Sequence, residues 1–164
     1  MLRYAVAMDI SVLIESGRAK GLGTRVLRQA LETVLGYVDG LENAEMSLIL
    51  TSQQRVQELN RVYRGKDHPT DVLSFCMNEI ASGAAGAGFV PPPDGVHHMG
   101  EVIISVPQAQ VQAKERGHTL EQEIHMLMVH GVLHLLGYDH NDDEEEAAMQ
   151  ARAAELLGCL GYLF

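Results

Sequence analysis

Three histidines, His130, His134 and His140, have the spacing of ligands to one metal ion. His130 and His134 are four residues apart, so on a helix their imidazoles share a face. Gly137 then lets the chain turn sharply enough for His140 to come back toward the same point. Zinc commonly takes three imidazoles and leaves a fourth position open where it does chemistry. In a zinc protease the residue after the first histidine is the glutamate that activates water, and here that position is Gly131. The spacing keeps the metal and discards the usual peptide-hydrolysing chemistry.

Two blander readings fit the same pattern: ordinary histidines on a helix whose register happens to look metallic, or a structural zinc. Structural sites are usually closed by a fourth ligand, and Asp139, Asp142 and Asp143 are near enough in sequence to complete or orient one. His125 lies about 140° around the helix from His130 and should miss the ion. His97, His98 and His118 read as surface or core histidines. Cys76 and Cys159 form no close pair and sit among apolar neighbours, which predicts reduced thiols.

The elements that must position these residues follow from periodicity and capping signals. Alternation predicts strands over 6–10, 46–51, 72–77 and 101–105. Helical spacing predicts helices over 21–35 and 53–63, the second ended by Arg64-Gly65. Ser105 and Gln108, with Pro107 between them, open a helix to about 116; Thr119 and Gln122 open the histidine-bearing helix to about 136. Asn141 and Glu144 have the same spacing before a last helix ending near 157. The segment 81–98, rich in glycine and with three consecutive prolines, predicts a flexible excursion. The expectation is one α+β domain over 1–164, with a mixed sheet of about four strands, four to six helices, and the metal site on a central helix.

A chain of 164 residues with net charge −10 is poorly suited to broad nucleic-acid binding, which relies on Lys and Arg. Charge is uneven, however. Arg55, Arg61, Arg64 and Lys66 face only Glu58 between 55 and 66, whereas 139–146 holds six acids and no Lys or Arg. A local basic face can still meet phosphate. No apolar run approaches ~20 residues, and Asp9 interrupts the first ten residues before a secretory core is complete. The expectation is a cytoplasmic protein without membrane association.

The stretch 59–75, LNRVYRGKDHPTDVLSF, then Gly100 to Ser105, then His130 to His140, closely resembles the YbeY-type endoribonucleases, the rRNA maturation factors. The ordered similarity covers approximately 48–157. Glu101 stands where Asp is usual, Cys76 where Pro is usual, and the 81–98 segment is longer than expected. The resemblance implies a zinc-dependent, single-strand-specific endoribonuclease of the bacterial cytosol. It would act in ribosomal RNA processing, notably at the 3′ end of 16S rRNA, and in ribosome quality control. It implies His130, His134 and His140 as zinc ligands and Arg64 as the active-site arginine. The implied partners are single-stranded RNA or rRNA, the small ribosomal subunit or 70S ribosome, and ribosome-associated proteins.

On this reading a single zinc ion polarises a phosphate oxygen or a water, and Arg64 holds a neighbouring phosphate oxygen, its planar fork suiting that role. A salt bridge to an acid is the structural alternative for Arg64. Lys66 and Arg61 are candidates to bind the substrate backbone. Spacing leaves open whether water or the RNA's own 2′-OH attacks. His68 and Asp71 are conceivable general acids or simply turn-shaping residues. One tyrosine, Tyr63, is not by itself a stacking platform. A ribosome-associated RNA-binding factor with structural zinc, or a metal hydrolase of another substrate, are the competing functions.

Overall fold

Burial alternates along each strand and so sorts the sheet into two unequal faces. The computed structural model describes residues 8–16, 19, 21–41, 43–77 and 93–163. In chain order its elements are β1 (Asp9–Ile14), α1 (Thr24–Gly36), β2 (Ala44–Thr51), α2 (Gln53–Arg64), β3 (Val72–Cys76), β4 (His97–Ser105), α3 (Val106–Arg116), α4 (Leu120–Leu135) and α5 (Asp143–Cys159). The sheet order is β1-β2-β4-β3, with β1, β2 and β4 parallel and β3 antiparallel to β4. This is the mixed α+β arrangement that the sequence predicts.

On one face Met46, Leu48, Leu50, Val102 and Ile104 join apolar residues of α1, α4 and α5 in the main core. Fully burying one such side chain contributes about 1.5–3 kcal/mol, so this face carries most of the stability. The other face has a small cluster of Val56, Leu73, Phe75 and Ile103 beneath α2. Only Val56 and Asn60 of α2 are buried. That helix therefore leaves part of the sheet open beside it.

Local chemistry sets the helix ends near the histidines. The Thr119 side chain accepts from Gln122 N at 3.1 Å, and Gln122 Oε1 accepts from Thr119 N at 2.8 Å. This is the capping box that starts α4. The buried Glu123 carboxylate accepts from Arg116 Nη1 at 2.6 Å and lies 3.4 Å from His118 Nδ1, tying α4 to the end of α3. Gly137, at φ 93°, turns the chain out of the helix in a conformation that glycine adopts without penalty.

Three expectations are corrected. The first strand is Asp9–Ile14, because Ile10, Val12 and Ile14 supply the inward face; residues 6 and 7 of the 6–10 prediction lie outside the described residues. The last two residues of the excursion expected over 81–98 are strand. His97 and His98 belong to β4, where His98 pairs with Glu45 on β2 and with Asp94 at 3.1 Å; 78–92 lie outside the described residues. The N-cap of α5 is Asp142, which accepts from Glu145 N at 2.8 Å, rather than Asn141.

Gly131 lies where α4 presses on the sheet. A Cβ there would stand 2.5 and 2.9 Å from the Val102 methyls and 3.2 Å from Ser74 Oγ. The position that the sequence marks as a missing glutamate has no room for any side chain. Gly131→Ala gains about 1 kcal/mol of helix propensity against an overpacking cost of about 1–3 kcal/mol, so a net loss is expected in the urea midpoint. Combined with Val102→Ala, the loss should be smaller than the sum of the single losses, because the added methyl fills vacated space. Additive losses would show that the contact is looser than this packing requires.

Candidate metal centre

The helical repeat and the bend after α4 bring three imidazoles together. One nitrogen of each of His130, His134 and His140 lies within 4.8 Å of the other two. The Nε2 atoms of His130 and His134 are 3.1 Å apart. Two nitrogens bound to tetrahedral zinc at about 2.0–2.1 Å sit roughly 3.3 Å apart, so this pair is already at ligand spacing. His140 is the exposed member. Among the described residues no thiol or carboxylate joins the group. The donor set is three nitrogens, which fits zinc with an open position.

The loop that delivers His140 is held by acids that sequence spacing offered as possible fourth ligands. Asp139 accepts from His140 N at 2.8 Å and from Asn141 Nδ2 at 2.7 Å. These bonds, the backbone one first, hold its carboxyl below the usual aspartate range. Asp142 is occupied as the α5 cap. Asp143 lies in the exposed first turn of α5.

Burial lowers the pKa of His130, reinforced by His134 and His140 and opposed by Asp71. Burial also lowers that of His134, with His140 and Arg64 adding to it while the Tyr138 backbone and Asp139 oppose. Both rings therefore favour the neutral form, which is the form that binds a metal. Neutral rings in the folded state tie stability to pH above the unfolded value of about 6.5, and that stability is lost as pH falls through the lowered folded values.

The histidines line a cleft of about 810 Å³ whose opposite wall comes from α2 and the loop after it, including Arg64, Lys66, His68 and Asp71. Arg64 Nη2 donates to the Ser74 carbonyl at 2.7 Å, and its guanidinium lies 5.3 Å from the Phe75 ring centre. Asp71 has both carboxylate oxygens engaged, accepting from Val72 N at 2.8 Å and Gln112 Nε2 at 3.0 Å. It shapes the turn in this structure. His68 is exposed, with Nδ1 3.2 Å from the Pro69 carbonyl. Arg61 is exposed on α2 and is not among the residues that line the cleft.

His125, as expected from its angle on the helix, misses the cluster. It is buried, with Nδ1 2.7 Å from the Tyr162 hydroxyl, and joins the C-terminal segment to α4. Two residues that sequence reasoning passed over also build the site. Ser74 Oγ donates to the Gly131 carbonyl at 3.2 Å while its own carbonyl holds Arg64. Asn60, 3 % exposed, donates from Nδ2 to the His68 carbonyl at 3.0 Å and fixes the loop. Its signal was a polar residue four positions after Val56 on the inner face of an amphipathic helix.

In a metal-free NMR titration, His130 and His134 should protonate below the ordinary value of about 6.5 and His98 above it, because Asp94 first and Glu45 next stabilise its charged ring. Added zinc should abolish the titration of His130 and His134 while leaving that of His125 and His98. Ordinary values for all of these rings, or indifference to zinc, would contradict the site.

A family model described as Endoribonuclease YbeY matches residues 18–161, a span that includes Arg64 and the three histidines. Curated relatives described as Endoribonuclease YbeY include one from Dehalococcoides mccartyi, 42% identical over 146 residues, covering 88% of this chain and 85% of the relative. Another, from Halalkalibacterium halodurans, is 43% identical over 138 residues, covering 83% of this chain and 85% of its own. A third, from Bacillus cereus, is 38% identical over 156 residues and covers 95% of this chain and 98% of its own. The solution structure of a Thermotoga maritima protein aligns with a TM-score of 0.54 at 28% identity, over 91% of this chain and 89% of that one. With the family model running through every element from α1 to α5, this chain belongs to the YbeY endoribonuclease family.

Proposed function

We propose that this chain is a zinc-dependent, single-strand-specific endoribonuclease of the cytoplasm that matures ribosomal RNA at the 3′ end of 16S rRNA and serves ribosome quality control. Endoribonuclease activity comes with family membership. The observation that carries the metal-dependent part is three imidazoles within 4.8 Å of one another, two of them biased to the neutral form, across a cleft from Arg64.

His130, His134 and His140 would hold the ion. When bound, zinc supplies Lewis acidity to the phosphate and to the attacking group. Arg64 grips a non-bridging phosphate oxygen through a charged, planar donor set. Its tie to Ser74 and its place over Phe75 restrict the side chain before substrate arrives, which lowers the entropy lost on binding. Lys66 lines the same cleft and adds attraction for the backbone, with Arg61 further along α2. Gly131 leaves neither the carboxylate nor the space that a protease-type base requires.

A net charge of −10 opposes capture of free RNA. The small ribosomal subunit, the 70S ribosome or a ribosome-associated protein therefore presents the strand. No helix among the described residues is long and apolar enough to cross a membrane.

The test is cleavage of single-stranded rRNA fragments by the zinc-loaded chain beside His134→Ala and Arg64→Ala, with folding checked by circular dichroism. His134→Ala should lose zinc and fall to background. Arg64→Ala should keep zinc and lose on the order of 10²–10³-fold in kcat, the scale for removing one donor to developing charge. Normal ribosome binding with no cleavage by the native chain would instead indicate a binding factor with structural zinc. Product ends carrying a 2′,3′-cyclic phosphate would assign the first attack to the RNA 2′-OH.

A further inference from the structure

Arg64 borders a second cavity on the open face of the sheet, and neither the zinc ligands nor the reaction proposed above makes use of it. It measures about 490 Å³ and lies between α2 and strands β2, β3 and β4. Its floor is apolar, made by Ile49, Ile103 and Phe75. At its side stands Tyr63, whose ring is 5.4 Å from that of Phe75 at 60° and which is 66 % exposed although it belongs to an otherwise amphipathic helix. Two carboxylates line it: Glu15, which accepts from Thr51 Oγ1 at 2.8 Å, and half-buried Glu101, which has no hydrogen-bond or ion-pair partner among the described residues. Arg55 and Arg64 also line it, nine residues apart on α2, which is about 13–14 Å along the helix axis.

We infer that this cavity is a nucleobase subsite for the nucleotide adjoining the cleaved phosphodiester. The inference rests on the ribonuclease reading and deepens it by naming what the enzyme recognises beside the bond it breaks. Three features select this occupant. Arg64 lines both cavities, so a phosphate held there in the reaction cleft leaves its neighbouring nucleoside at the mouth of the second. The combination of an exposed tyrosine face, an apolar floor and an acceptor on the wall suits a flat aromatic ring with polar edges. Arg55, paired with Glu58 at 3.2 Å, adds a positive charge at the far end of the cavity for a phosphate further along the strand.

Glu101 gives the subsite a direction of preference. An ionised carboxylate only accepts hydrogen bonds. Adenine, cytosine and guanine each present an exocyclic amino group, whereas the one edge donor of uracil, N3–H, lies between two carbonyls whose lone pairs repel a carboxylate. The cavity therefore favours amino-bearing bases over uracil. It also favours an unpaired strand, because a base must leave its stack to enter.

The test uses the zinc-loaded chain and a set of short single-stranded RNAs that differ only at one position flanking the cut, on each side in turn. At one of these positions A, C or G should exceed U by about tenfold in kcat/KM, within the range that a good base-edge contact supplies. Glu101→Gln should erase that preference. Tyr63→Ala should raise KM about tenfold, within the range of one lost stacked base, and as an exposed residue it should leave folding and zinc content intact. Independently of cleavage, AMP should shift the Tyr63 and Phe75 ring resonances more than UMP does, and inorganic phosphate alone should not shift them. Base-indifferent cleavage with a native KM in both variants, or nucleotide-independent ring shifts that grow with protein concentration, would overturn the subsite. The first of those results would leave the nuclease reading standing. A native chain that cuts no RNA would strike that reading instead, while the ring shifts would still report on the cavity.

Discussion

The close approach of α4 to the sheet at Gly131 governs the geometry of everything around it. With no side chain between them, the helix backbone comes down onto Val102 of β4 and Ser74 of β3, and the two intrahelical histidines stand on either side of the contact at positions 130 and 134. A helix held off by even one methyl group would carry both imidazoles away from the loop that delivers His140. Ser74 completes the mounting. Its hydroxyl donates to the helix at Gly131, and its carbonyl accepts from Arg64. One strand residue thus references the histidine-bearing helix and Arg64 to the same point.

Charge around the cleft follows a consistent logic. The acids nearest the histidines are spent on the backbone: Asp71 on its turn, Asp139 on the bend and Asp142 on the α5 cap. Each accepts a backbone hydrogen bond there, and that bond holds the Asp139 carboxyl below the usual aspartate range. Their summed field would repel a phosphate. A divalent ion held by neutral imidazoles brings two positive charges without adding a negative ligand, so the ion would be the largest local charge and would reverse the sign that RNA meets. A carboxylate ligand in place of one histidine would have cancelled part of that reversal.

The order and type of elements were legible because their signals are local. Alternation marked the three later strands, Thr119 and Gln122 marked the start of α4, and four-residue spacing marked the histidine pair. The less legible features depend on contacts distant in sequence. Gly131 read as the absence of a catalytic group, because nothing in the local pattern says that Val102, 29 positions earlier, fills its space. Ser74 read as one residue of a strand, its role arising only when the strand meets α4 and Arg64. His98 read as the end of a loop because glycine and proline dominate the preceding residues, and its strand pairing with β2 overrides that composition. Asp142 displaced Asn141 as a cap by one residue, the usual scale of ambiguity when several capping side chains are adjacent.

The position of β3 explains why the arginine is where it is. An edge strand presents backbone groups that no neighbouring strand satisfies, and proteins keep such edges short or cover them. β3 has five residues, pairs among the described residues only with β4 and would expose the Ser74 carbonyl. The Arg64 guanidinium covers that carbonyl while leaning on Phe75 of the same strand. The bond protects the edge, and it also limits the conformations of a long side chain at the end of α2. Replacing Arg64 with Lys would preserve the charge but lose the planar fork that can hold a strand carbonyl on one side and face a phosphate on another. On the proposed reading, edge protection and phosphate orientation place the same demand on Arg64, and the cleft lined by the histidines lies at the sheet edge, where both can be met.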